Sequence, residues 1–82
     1  MADTAALTEL IAYLAKALVD KPDEVKVEAF DEDNTEVLEL TVAREDLGKV
    51  IGKQGRTARA LRAVLSAASA KQKIRTALEI LE

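Results

Sequence analysis

The sequence predicts an α+β fold in which three helices cover one face of a three-stranded sheet, and three observations lead there. An apolar stripe at helical spacing opens the chain, two alternating segments flank a polar turn, and two helical patterns around a glycine pair precede a last alternating segment. The order is α-β-β-α-α-β, a single layer packing of helices on a sheet. At 82 residues the chain forms one domain over residues 1–82. A fold of this size buries about 60 to 65% of its unfolded surface and has a net stability on the order of 5 kcal/mol. No linker, internal repeat or low-complexity segment divides it.

In the first segment, Leu7, Leu10, Ile11, Leu14 and Leu18 are spaced by three, four and seven, so they share one helix stripe. Asp3 or Thr4 can cap its start, and Pro22 stops it. Val25, Val27 and Ala29 then alternate with charged neighbours, as do Leu38, Leu40 and Val42, which reads as two half-buried strands. Asp31 to Asn34 supplies the turn between them. Leu47, Val50 and Ile51 follow at helical spacing after Glu45 and Asp46, residues suited to a first turn, and predict a helix of about two turns. Beyond Gly55 a longer helix carries Leu61, Val64, Leu65 and Ala68 on one side and Arg56, Arg59 and Arg62 on the other. The third strand alternates Ile74, Thr76, Leu78 and Ile80.

Composition excludes most catalytic chemistry. Without cysteine or histidine there is no disulfide, no thiolate nucleophile, no imidazole base and no Cys/His metal site, so no enzyme activity, metal or cofactor is expected. A signal peptide or membrane span does not fit either, and a cytoplasmic location is the expectation. The net charge of −3 alone would argue against a nucleic-acid partner. Its distribution argues the other way. Residues 1–43 carry a net −8 and residues 44–82 a net +5, and Lys49 to Arg75 includes eight basic side chains and no acidic one. Such a chain can present one cationic face despite its overall sign.

Within that basic half lies "LGKVIGKQGRTARALR". It is not a nucleotide-binding P-loop, which needs four residues between its glycines and a hydroxyl after the lysine, and it is not the dinucleotide fingerprint of a βαβ unit. Nor does Gly48-x-x-x-Gly52 carry its membrane-helix meaning outside a long apolar helix. A plain helix-to-helix turn accounts for two glycines, with Gly52 capping in a left-handed conformation and Gly55 easing entry to the next helix. It does not account for Lys49, Lys53, Arg56 and Arg59 crowding around them. Glycines admit another backbone closely, and the start of the second helix favours an anionic oxygen, so a phosphodiester suits the place.

"VIGKQG" before a basic, alanine- and leucine-patterned helix resembles the signature of KH domains, whose G-x-x-G loop clamps the backbone of about four nucleotides. The α-β-β-α-α-β order is that of the type II KH domain, which implies a mixed three-stranded sheet. The likeness extends over the whole chain to the small stand-alone bacterial KhpA family. It implies that Gly52, Lys53, Gln54 and Gly55 clamp single-stranded RNA while Lys49, Arg56 and Arg59 add charge. Val50, Ile51, Ala58 and Leu61 then stand where KH domains shape the groove or lock the helices beneath it. Many KH domains carry isoleucine at the position of Ala58, so base discrimination is expected to be weak.

Only Tyr13 and Phe30 are aromatic, and neither is near the loop, so bases are not expected to stack on rings. Tyr13 is expected at a helix edge or interface, and Phe30 in the core at a strand end. A short site of this kind binds modestly, and the resemblance implies dimerisation, with itself or with a larger KH-containing RNA-binding protein, which raises avidity. Ala60, Ala63, Ala67 and Ala70 form a small-residue stripe suited to such an interface. The expectation is an RNA-binding module, a chaperone or post-transcriptional regulator of broad specificity. The alternative is a protein-interaction adaptor whose KH fold mainly builds complexes.

Overall fold

A computed structural model describes residues 4–82. Among these residues the order is α1 (Thr4–Leu18), β1 (Lys26–Glu32), β2 (Thr35–Thr41), α2 (Leu47–Ile51), α3 (Arg56–Lys71) and β3 (Arg75–Ile80). Short 3-10 turns at Pro22–Glu24, Arg44–Asp46 and Lys53–Gly55 join them. The sheet runs β1-β2-β3, antiparallel between β1 and β2 and parallel between β2 and β3. This is the expected α+β arrangement with a mixed sheet. The antiparallel pair needs only a tight hairpin, whereas the parallel pair needs the α2–α3 crossover.

Helix α1 ends before Pro22, whose missing N–H is harmless in the first position of the following turn. Thr4 is already helical, and the alternative cap Asp3 lies outside the described residues. The strands run further into the polar turn than the alternation suggests. Asp33 and Asn34, with φ of 51° and 63°, close it as a two-residue hairpin, the left-handed pair that matches the strand twist. Helix α2 is shorter than expected, because Arg44–Asp46 forms a separate 3-10 turn and Asp46 is buried.

The core is built from Leu7, Ile11 and Ala15 of α1, Leu38 and Leu40 of β2, Val50 of α2, Leu61 and Leu65 of α3, and Leu78 of β3. Each fully buried large aliphatic contributes about 1.5–3 kcal/mol before entropy is charged against it. Several apolar positions differ from expectation. Ala15 is buried and Leu18 is 40% exposed, so α1 is rotated toward its smaller side chain. Val64 is 41% exposed while Ser69 is buried in line with Ala58, Leu61 and Leu65. Phe30 does not enter the core, because its place in the register puts it on the sheet face away from the helices. Ala29 is on the helix side but exposed at the sheet edge, and Val42 is half-buried.

Candidate nucleic-acid interface

The loop between α2 and α3 begins where Gly52 takes φ 79° and ψ 171°, backbone space open only to glycine. A methyl group on Gly52 would lie 2.8 Å from the backbone nitrogen of Thr57 and closer still to that residue's side chain. Two chain segments therefore touch there without room for a Cβ. Gln54 (φ 58°) and Gly55 (φ 74°) follow in left-handed conformation, and the Gly55 N–H donates to the Gly52 carbonyl at 3.1 Å. The Gly52 N–H donates to the Gly48 carbonyl at 2.8 Å, which closes α2. These three positive-φ residues fold the loop so that Lys53 and Gln54 stand out into solvent at its tip.

The basic residues divide into two groups. Lys53, Arg56 and Arg59 are exposed and enter no ion pair among the described residues, and Arg59 packs beside Gly55. Lys49 is already engaged. Its ammonium lies 3.3 Å from Asp20 and 3.8 Å from the buried Asp46. Asp46 also accepts the Lys21 backbone N–H at 3.0 Å, so this carboxylate ties α2 to the segment after α1. Beside it the Lys21 ammonium donates to Glu45 at 2.8 Å, which raises the amine's pKa and holds the Glu45 carboxyl below its ordinary value. Asp20, Lys21, Glu45, Asp46 and Lys49 thus form one polar cluster that braces α2 against the segment after α1.

The apolar positions are also sorted. Val50, Ala58 and Leu61 are buried where α2, α3 and the core meet, and Ile51 is half-buried. Ala58 faces inward with Leu61 and Leu65 at helical spacing, so it lies beneath the surface and forms no open wall. Further along α3 from the loop, a trough lies between α3 and β3, which sequence reasoning left out. One part, of about 290 Å³, is lined by Arg62, Leu65, Ser66, Thr76, Ala77 and Leu78. The next, of about 300 Å³, shares Ser66 and Thr76 and adds Thr35, Ser69 and Arg75. Arg62 donates to the Leu78 carbonyl at 3.3 Å, and Thr76 donates to the Ser69 hydroxyl at 3.0 Å. The spacing of Arg59, Arg62 and Ser66 along α3 was the available signal, but pairing α3 with β3 needs the tertiary structure.

Among the described residues no group of His, Cys, Asp or Glu could hold a metal ion, and no helix is long and apolar enough to cross a membrane. Of the exposed stripe of Ala60, Ala63, Ala67 and Ala70, only Ala70 lines the trough, and the other three lie outside it. Next to the stripe an apolar groove of about 260 Å³ between α1 and α3 is lined by Leu14, Leu18, Thr57, Ala60 and Val64.

Residues 8–80 match the family described as KhpA/KhpB, KH domain. The chain is 57% identical over 74 residues to the RNA-binding protein KhpA of Treponema pallidum, covering 90% of this chain and 92% of that one. It is 52% identical over 73 residues to the RNA-binding protein KhpA of Halalkalibacterium halodurans, covering 89% and 96%. Both names denote binding proteins and not enzymes. Among solved structures, Aquifex aeolicus Era bound to a GDP complex superposes with a TM-score of 0.63 at 18% identity over 92% of this chain. Era in complex with MgGDPNP and a segment of 16S ribosomal RNA gives 0.55 at 24% identity over 90% of this chain. The chain spans under a third of each Era molecule, 29% and 28%, and the likeness is one of fold.

Proposed function

This chain belongs to the KhpA/KhpB family of KH domains, and from that premise we propose that it binds single-stranded RNA. The loop Gly52–Gly55 grips the sugar-phosphate backbone, and the trough between α3 and β3 receives the adjoining nucleotides. One observation carries this reading: the uncompensated charges of Lys53, Arg56 and Arg59 surround an exposed loop whose shape is fixed by Gly52 against Thr57 and by the left-handed Gln54 and Gly55. An exposed, rigid loop ringed by unpaired cations suits a phosphodiester. Lys49 has a smaller part, since it must leave two carboxylates to reach a phosphate.

With three free cations at the clamp, the salt slope of binding to a single strand is about −2, at roughly −0.7 per phosphate. Such a site holds RNA weakly and with little base preference, which fits a chaperone or post-transcriptional regulator acting on many transcripts in the cytoplasm. The Lys53→Asp/Gln54→Asp double variant tests it, because both residues are exposed and the variant is expected to fold. A gel shift with a short single-stranded RNA is expected to weaken at least about tenfold, a change of 1.4 kcal/mol. Undiminished binding by the folded variant refutes the clamp.

A second reading concerns assembly. The apolar groove between α1 and α3, with Leu18 and Val64 exposed beside the alanine stripe, supports a dimer contact with a second copy or with a larger KH-containing protein. Two linked clamps then compensate for the weakness of one.

A further inference from the structure

The sheet face turned away from the helices is uncovered, and its side chains form rows across all three strands. The two registers set Phe30, Val37 and Ala77 side by side, and two positions along each strand they set Glu28, Glu39 and Glu79 side by side. Alternation places both rows opposite to Leu38, Leu40 and Leu78. Val37 lies outside the main core cluster yet is only 5% exposed, shielded by its neighbours in the row, while Phe30, the chain's one phenylalanine, is 41% exposed. Like charges directly opposite one another weaken a sheet. No ion pair among the described residues relieves the three glutamates. Neither the fold nor the clamp accounts for an apolar row bordered by a carboxylate row.

We propose that this face docks a lysine- or arginine-rich polypeptide segment. An apolar side chain of that segment packs on Phe30, Val37 and Ala77, and its cations pair with Glu28, Glu39 and Glu79. Charge complementarity selects the occupant. RNA and anionic lipid are repelled by the glutamate row, and a second copy using this same face would bring three more carboxylates into the contact. The clamp loop joins helices on the other side of the sheet, so RNA and the polypeptide can be held together.

Two short synthetic peptides of equal charge, one alternating lysine with leucine and one alternating lysine with serine, test the proposal on the full ¹⁵N-labelled chain. The leucine peptide is expected to shift the amide resonances of Val37, Glu39, Ala77 and Glu79 and to bind about tenfold more tightly than the serine peptide, the effect of burying one large aliphatic group. Glu39→Lys and Phe30→Ser should each weaken it at least about fivefold. RNA binding is expected to stay unchanged in Glu39→Lys, which separates this proposal from the clamp. Equal affinity for the two peptides, shifts mapping to another face, or indifference to Glu39→Lys overturns it. So does a sedimentation result in which Glu39→Lys abolishes self-association, since the face would then be a contact between copies. Should Phe30→Ser fail to fold, Glu39→Lys, a polar change at a half-buried position outside the core, still decides.

Discussion

Gly52 and Gly55 have nearly the same φ, yet a methyl group would meet different surroundings at each. At Gly52 it collides with the Thr57 backbone, and ψ 171° puts the residue outside the left-handed helical region that the sequence reading assigned to it. At Gly55 the nearest atom is the Arg59 guanidinium at 3.8 Å, so only the left-handed backbone resists substitution. Gly48 is helical and open to solvent, with nothing near. Urea unfolding should therefore rank the three alanine variants. Gly52→Ala is expected to cost about 3 kcal/mol or more, Gly55→Ala about 1–2 kcal/mol, and Gly48→Ala to stabilise by about 0.5–1 kcal/mol. Equal losses at Gly52 and Gly55 would mean that the close approach to Thr57 does not hold the loop. That two glycines frame the loop was legible from their spacing, but that only one is sterically locked depends on where Thr57 returns.

At the scale of elements, the β1–β2 hairpin sets two acidic side chains directly opposite each other on the helix side, Asp31 and Glu36. The Glu36 carboxyl shares a hydrogen bond with Asp31, and this contact, with partial burial and the neighbouring charge, raises its pKa above the ordinary 4.5. A raised carboxyl favours the folded state only while protonated. Its contribution is present below the ordinary value and lost as pH rises through the raised one. Glu36→Gln keeps a hydrogen-bonding group and removes the charge. Its Tm should exceed that of the parent by on the order of 2 °C at pH 7, with the gap closing near pH 4. A gap that persists in acid would assign the effect to packing. The hairpin itself was readable from the alternation and the Asp/Asn turn. Its length was not, since Asp31, Glu32, Thr35 and Glu36 interrupt the apolar rhythm while the backbone ladder continues through them.

For the whole molecule, the charge asymmetry of the sequence becomes a spatial one. Lys53, Arg56 and Arg59 cluster at the clamp on the helix side, and the glutamate row shares the opposite face of the sheet with Lys26 and Arg75. The apolar groove between α1 and α3 shares no residue with the glutamate row but abuts the clamp through Thr57, which packs on Gly52, so self-association is tested at Ala63, outside the lining of both the groove and the trough. Sedimentation of the purified chain should give the mass of two copies, and Ala63→Arg on the exposed stripe should give the mass of one. A parent chain that sediments as a monomer would remove the homodimer. The sequence by itself determined the order of elements, the glycine-framed loop and the basic half, because hydrophobic period, turn chemistry and charge are local properties. Only the tertiary structure decided that Lys49 is held by Asp20 and Asp46, that Ala15 and Ser69 are buried while Leu18 and Val64 are not, and that three glutamates share one row. Those outcomes depend on helix rotation and strand register, which are set by contacts between segments far apart in the chain.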